Sequence, residues 1–96
     1  MRRAAKVDDN QAEVVAALRK AGATVQTLHT IGHGCPDLLV GYRQTNLLME
    51  VKDGAKPPSA RKLTDDERDW IAAWRAPVYI VNGPIEAVAV IQTVRP

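Results

Sequence analysis

The chain has 96 residues, 46% of them hydrophobic and 25% charged, with a formal net charge of +2 and a single cysteine, Cys35. That length suits one domain, residues 1–96, around one core. The composition excludes a disordered chain, and a lone thiol cannot close an internal disulfide. No apolar run reaches signal-peptide or membrane-spanning length, so a reducing cytoplasm is the expected compartment and no membrane partner is expected.

Residues 1–9 read as a basic, polar lead-in carrying Arg2, Arg3 and Lys6. Asn10 can cap a helix through QAEVVAALRKA, in which Val14, Val15, Leu18 and Ala21 form an apolar stripe and Gly22 is the expected left-handed stop. Asn10-Gln11-Ala12-Glu13 also has the spacing of a capping box, with Glu13 reaching back to the Asn10 N–H. From Ala23 to Ile31 the chain turns β-branched (Thr24, Val25, Thr27, Thr30, Ile31), which predicts a strand ending at Gly32-His33-Gly34.

DLLVGYR and NLLMEVKD are two further strands, joined near Arg43 to Asn46 by a connection short enough for an antiparallel hairpin. GAKPPSARK extends neither, because Pro57 and Pro58 lack donors and Gly54 and Ser59 favour a loop; it is a basic loop with Lys56, Arg61 and Lys62. Thr64-Asp65-Asp66-Glu67 matches a capping box, and the helix it opens carries Trp70, Ile71 and Trp74 before Pro77. The two tryptophans, four apart, read as core anchors or dimer contacts. VYIVNG is a short strand, and Pro84 opens a last helix, PIEAVAVIQ. The order is helix, three strands, helix, strand, helix. This is an α/β domain whose fourth strand lies parallel to a neighbour in a mixed sheet flanked by helices.

Two polar features interrupt the apolar hairpin. Asp37 follows Pro36 at the mouth of one strand, and Glu50 and Lys52 sit inside the next. Charged groups among Leu and Val must be paired, hydrated or bound. Strand alternation sends Glu50 and Lys52 to one face and Leu47, Met49 and Val51 to the other. A turn centred at Arg43 and Gln44 sets Asp37 opposite Glu50, while a one-residue shift sets it opposite Lys52. Either register brings two carboxylates and an ammonium together, with Cβ atoms of opposed residues roughly 4.5 to 5.5 Å apart. Carboxylates so close repel unless a cation lies between them. Mg²⁺, which uses one or two protein carboxylates plus waters and phosphate oxygens, answers that need. Lys52 beside it would orient a water or stabilise negative charge in phosphodiester hydrolysis.

Pro36-Asp37 followed after a hairpin by Glu50-Val51-Lys52 resembles the PD-(D/E)XK nuclease motif. The resemblance covers most of the chain, since that family's restriction-endonuclease-like core is an αβββαβ unit with these residues on adjacent strands. It implies a Mg²⁺-dependent nuclease in which Asp37, Glu50 and the Val51 carbonyl bind metal, Lys52 is catalytic, and Glu13 is the extra acidic ligand of the first helix. KLTDDERDWI resembles the segment after the lysine in small phage and repair members, the VRR-NUC and Holliday-junction-resolvase-like groups. A Gln often follows there, where this chain has Glu67. No Val-Arg-Arg tripeptide is present, and the subgroup stays open. The likeness implies branched or junction DNA as substrate, and the host cytoplasm for a phage protein.

His29, His33 and Cys35 do not make a zinc site, because His29 and His33 lie about 13 Å apart in an extended segment and a fourth ligand is missing. Lys56, Arg61 and Lys62, leaving the strand of Lys52, are expected to grip DNA phosphates, with His33, Arg2 and Arg3 as further contacts. A domain this small also suits a homodimer making paired cuts. Mn²⁺ is expected to replace Mg²⁺, and no small-molecule cofactor is expected. Two other readings stand beside the nuclease: a non-catalytic DNA-binding or accessory subunit, and a plain α/β interaction domain.

Overall fold

The computed structural model describes residues 9–96, so Arg2, Arg3 and Lys6 lie outside the described residues. Helix α1 (Gln11–Lys20) is followed by strands β1 (Thr24–Thr27), β2 (Leu38–Tyr42) and β3 (Thr45–Val51). Helix α2 (Asp65–Ala73), strand β4 (Val78–Val81) and helix α3 (Pro84–Gln92) complete the order. The four strands form one sheet in the order β1-β2-β3-β4, antiparallel except for the β3–β4 pair, which is parallel. The chain is thus an α/β domain with a mixed sheet flanked by helices.

Alternation divides the sheet into two unlike faces. Leu38, Val40, Leu47, Met49, Val51 and Val81 point to the side where α1 and α3 pack, and with Val14, Val15, Leu18, Ala87 and Ile91 they form the buried core. A fully buried aliphatic side chain contributes about 1.5 to 3 kcal/mol, so this one face holds the fold together. The reverse face carries Leu39, Leu48 and Ile80, and it is only partly covered: Ile80 keeps 45% of its surface in solvent. A groove of about 480 Å³ opens there, lined in part by Leu39, Leu48, Trp74 and Pro77.

The helix ends obey local chemistry. Gly22, at φ 99°, donates to Arg19 O, and Ala23 N donates to Leu18 O, the paired bonds of a Schellman stop. Thr64 and Glu67 form the expected capping box at α2, and Pro84 sits in the first turn of α3.

Four expectations need correction. The first strand ends at Thr27 instead of Ile31, because Ile31 N turns back to Leu28 O and Gly32, His33 and Gly34 all take positive φ. Asn10 makes no side-chain cap bond to α1. Its amide Nδ2 donates instead to Lys52 O at 3.1 Å and Asn82 O at 3.2 Å, tying the helix start to the ends of β3 and β4. Trp70 and Trp74 are not core anchors: α2 buries none of its residues, and the two rings stack on each other 4.6 Å apart. The basic loop is not wholly irregular, since Pro58–Ala60 form one 3-10 turn.

Candidate active site

The hairpin turn falls at Arg43 and Gln44, both with positive φ, and pairs Leu38 with Met49. One further step of this register sets Asp37 opposite Glu50, so of the two alignments left open by the sequence this is the one formed. Asp37, Glu50 and Lys52 are all buried, at 7%, 2% and 8% exposure.

Each carboxylate is held differently. Asp37 Oδ2 accepts a hydrogen bond of 2.7 Å from Val51 N–H. In an extended strand the N–H and C=O of one residue leave by the same edge, so the Val51 carbonyl also faces the Asp37 side. Glu50 Oε2 lies 3.6 Å from Lys52 Nζ, while Glu50 Oε1 is buried without a hydrogen-bond partner. Burial above all, then the negative charge of Asp37 and the contact with Glu67, push the Glu50 carboxyl up to about 10. The same field reaches Cys35, whose thiol is raised first by burial and then by Glu50 and Asp37.

Lys52 is claimed more closely by Glu67, to which the sequence assigns only a helix cap. Its Nζ donates to Glu67 Oε1 at 2.7 Å, an ion pair shorter than that to Glu50. Burial alone would raise the Glu67 carboxyl, but the hydrogen bonds from Lys52 and from Thr64 N–H outweigh it and hold it below the ordinary glutamate value. The Gly32–Gly34 loop presses on the same helix start: a Cβ on Gly34 would strike Asp66 O.

Glu13 is exposed on α1. Among the described residues no group of three or more His, Cys, Asp or Glu side chains is placed to hold a metal ion, so Glu13 is not gathered with Asp37 and Glu50. The polar side chain that α1 does bury is Gln11, at 4% exposure, and its Oε1 is a second buried oxygen without a partner. The signal was in the spacing, since Gln11, Val14, Val15 and Leu18 follow the i, i+3, i+4, i+7 stripe while Glu13 falls off it. Of the expected DNA contacts, His33 and Lys62 are exposed, and Lys56 and Arg61 are half-buried.

A solved structure described as a VRR_NUC domain matches this chain with a TM-score of 0.56 and 27% identity, covering 85% of this chain and 89% of that one. No family model and no curated protein matches the chain. No helix among the described residues is long and apolar enough to cross a membrane. The shared fold and the Pro36-Asp37 and Glu50-Val51-Lys52 pattern make this chain similar to the VRR_NUC domain, a PD-(D/E)XK-type nuclease domain, and point to a nuclease.

Proposed function

We propose that this chain is a Mg²⁺-dependent endonuclease that hydrolyses DNA phosphodiester bonds, prefers branched or junction DNA, and acts as a homodimer, with Mn²⁺ able to replace Mg²⁺. The observation that carries this reading is the buried pair Asp37 and Glu50, set side by side with Glu50 Oε1 unpartnered. A buried acceptor with no donor costs about 1 to 3 kcal/mol, and a hard cation removes that cost. A pair of carboxylates fits Mg²⁺, which usually keeps waters and takes phosphate oxygens in its remaining positions.

Asp37, Glu50 and the Val51 carbonyl would hold the ion. The chemistry it supplies when bound is polarisation of a phosphoryl oxygen and a lowered pKa for water. Asp37 stays oriented through its bond to Val51 N–H. Lys52 brings a positive charge on a buried stem to the same face as Glu50, where it stabilises the extra negative charge of the pentavalent phosphorus and holds the attacking water. Lys56, Arg61, Lys62 and His33 would track the phosphate backbone beside this site.

The test is incubation of the protein with supercoiled and four-way-junction DNA and Mg²⁺, beside a chelator control and Lys52→Ala. Metal-dependent cutting that Lys52→Ala abolishes, faster on the junction than on linear duplex, is the expected result. No cutting, or equal cutting by Lys52→Ala, overturns the catalytic reading. DNA binding that survives loss of both carboxylates, without metal binding, would instead make the chain a non-catalytic DNA-binding subunit.

A further inference from the structure

Glu67 Oε1 does two things at once. It accepts from Thr64 N–H at 2.9 Å, closing the capping box that starts α2, and it accepts from Lys52 Nζ at 2.7 Å. The other half of the box is Glu67 N–H donating to Thr64 Oγ1 at 3.2 Å. A capping glutamate normally faces solvent, and its work ends at the helix. Here the side chain is largely buried, at 18% exposure, against a lysine that is itself at 10%. The helix it begins buries none of its residues, so hydrophobic packing does not explain why α2 starts against the sheet at this point.

We infer that Glu67 is the positioning residue for Lys52: it draws the ammonium toward the start of α2 and away from Glu50. This rests on the proposed nuclease function and adds to it a division of labour among the carboxylates. Lys52 Nζ stands 3.6 Å from Glu50 Oε2, too long for a strong hydrogen bond, because Glu67 holds it at 2.7 Å. Without Glu67 the lysine would close on Glu50, whose Oε2 is already 3.6 Å away, and occupy an oxygen that a cation needs. The arrangement also balances charge. With all groups ionised, Asp37, Glu50 and Glu67 against Lys52 leave two negative charges, the complement of one divalent ion. Because the positioning oxygen belongs to the capping box, the lysine's placement is tied to the folded start of α2.

The test compares Glu67→Gln with Glu67→Ala. Both remove the same charge, but only the amide keeps an oxygen that can accept from Lys52. Binding of Ca²⁺ to the full chain, measured by calorimetry without DNA, reads the site independently of catalysis. Glu67→Ala is expected to weaken Ca²⁺ binding and lower kcat, each by roughly 10-fold or more relative to Glu67→Gln, with little change in KM. In a Lys52→Ala background, Glu67→Ala should add no further loss of Ca²⁺ affinity. Thr64→Ala, which removes one cap bond and leaves Glu67 Oε1 on Lys52, should lower thermal stability while changing Ca²⁺ affinity by less than about threefold. Equal Ca²⁺ affinity and kcat in Glu67→Gln and Glu67→Ala would overturn the inference and leave Glu67 as a helix cap. A Glu67→Ala loss that persists without Lys52 would also overturn it, making Glu67 a ligand in its own right. If the wild-type chain neither binds the ion nor cuts DNA, the nuclease reading fails; if it does both and the Glu67 variants match, only this inference falls.

Discussion

Asp37 Oδ2 accepts a hydrogen bond from Val51 N–H at 2.7 Å, so a side chain at the mouth of β2 is fixed to the backbone of the residue between Glu50 and Lys52. The same bond that sets the carboxylate's direction satisfies the Val51 N–H, which lies beyond the last β2–β3 pair, Leu38 with Met49. Structure and proposed chemistry therefore share one contact, and they separate on substitution. Asp37→Ala leaves a buried N–H unsatisfied and should cost about 1 to 3 kcal/mol in urea unfolding. Asp37→Asn keeps an acceptor and should retain most of that stability. Both should lose DNA cleavage on the order of 100-fold or more, because both remove the charged ligand. Cleavage by Asp37→Asn within tenfold of wild type would remove Asp37 from the metal site.

Glu50 gives the stability of the metal-free protein a definite pH dependence. Its carboxyl is pushed up to about 10 in the folded chain, against an ordinary 4.5, by burial first and then by Asp37 and Glu67. Between these values the folded state holds a proton that the unfolded state has released, so stability falls as pH rises from about 4.5 towards 10. In the presence of a chelator, the urea midpoint should decline from pH 5 to pH 8, and Glu50→Gln should flatten the decline. Mg²⁺ should restore more stability at pH 8 than at pH 5. A wild-type midpoint that rises over this range in chelator would contradict the buried, proton-holding Glu50.

Gly34 takes φ 82°, and a Cβ there would strike the Asp66 carbonyl. Gly34→Ala should therefore destabilise the chain by about 1 to 3 kcal/mol. Its effect should not stop at stability. The displaced start of α2 carries Glu67, so the substitution should also reduce cleavage under conditions where the protein stays folded. Full activity in a folded Gly34→Ala protein would show that the α2 start need not stay in place for the site to work.

Arg61 and Lys62 follow the 3-10 turn Pro58–Ala60, on the loop that leaves the end of β3 through Lys52. If they hold backbone phosphates, Lys62→Ala and Arg61→Ala should each lower the slope of log affinity against log salt by about 1, with no change in sequence preference. Binding to a four-way junction measured by anisotropy at several salt concentrations checks this. Unchanged slopes would leave the loop as a solvated basic surface.

Much of the site was legible in the chain. Period-two alternation puts Glu50 and Lys52 on one face, and the short connection narrows the hairpin to two registers, of which the structure forms the one that opposes Asp37 to Glu50. The capping box at Thr64 and Glu67 was equally plain, because its bonds span three residues. The core-anchor expectation for the tryptophans fails because an i, i+4 aromatic pair looks the same whether it faces a core or its own stacked partner on the surface. Glu13 enters through the family resemblance alone, whereas helical phase puts Gln11, and not Glu13, on the buried stripe of α1.

What the sequence by itself determined is whatever depends on near neighbours: the cap of α2, the Gly22 stop of α1, the hairpin, and thus, in either of its two registers, the meeting of Asp37, Glu50 and Lys52. Only the tertiary structure decided which distant groups reach that cluster. Lys52 and Glu67 are 15 residues apart, and Asn10 lies 42 residues from the Lys52 carbonyl it binds. Local rules stop short of such contacts because they depend on where a loop and a helix come to rest against the sheet. That position is set by the sum of many packing and hydrogen-bonding choices, none of which appears in the spacing of the residues that finally touch.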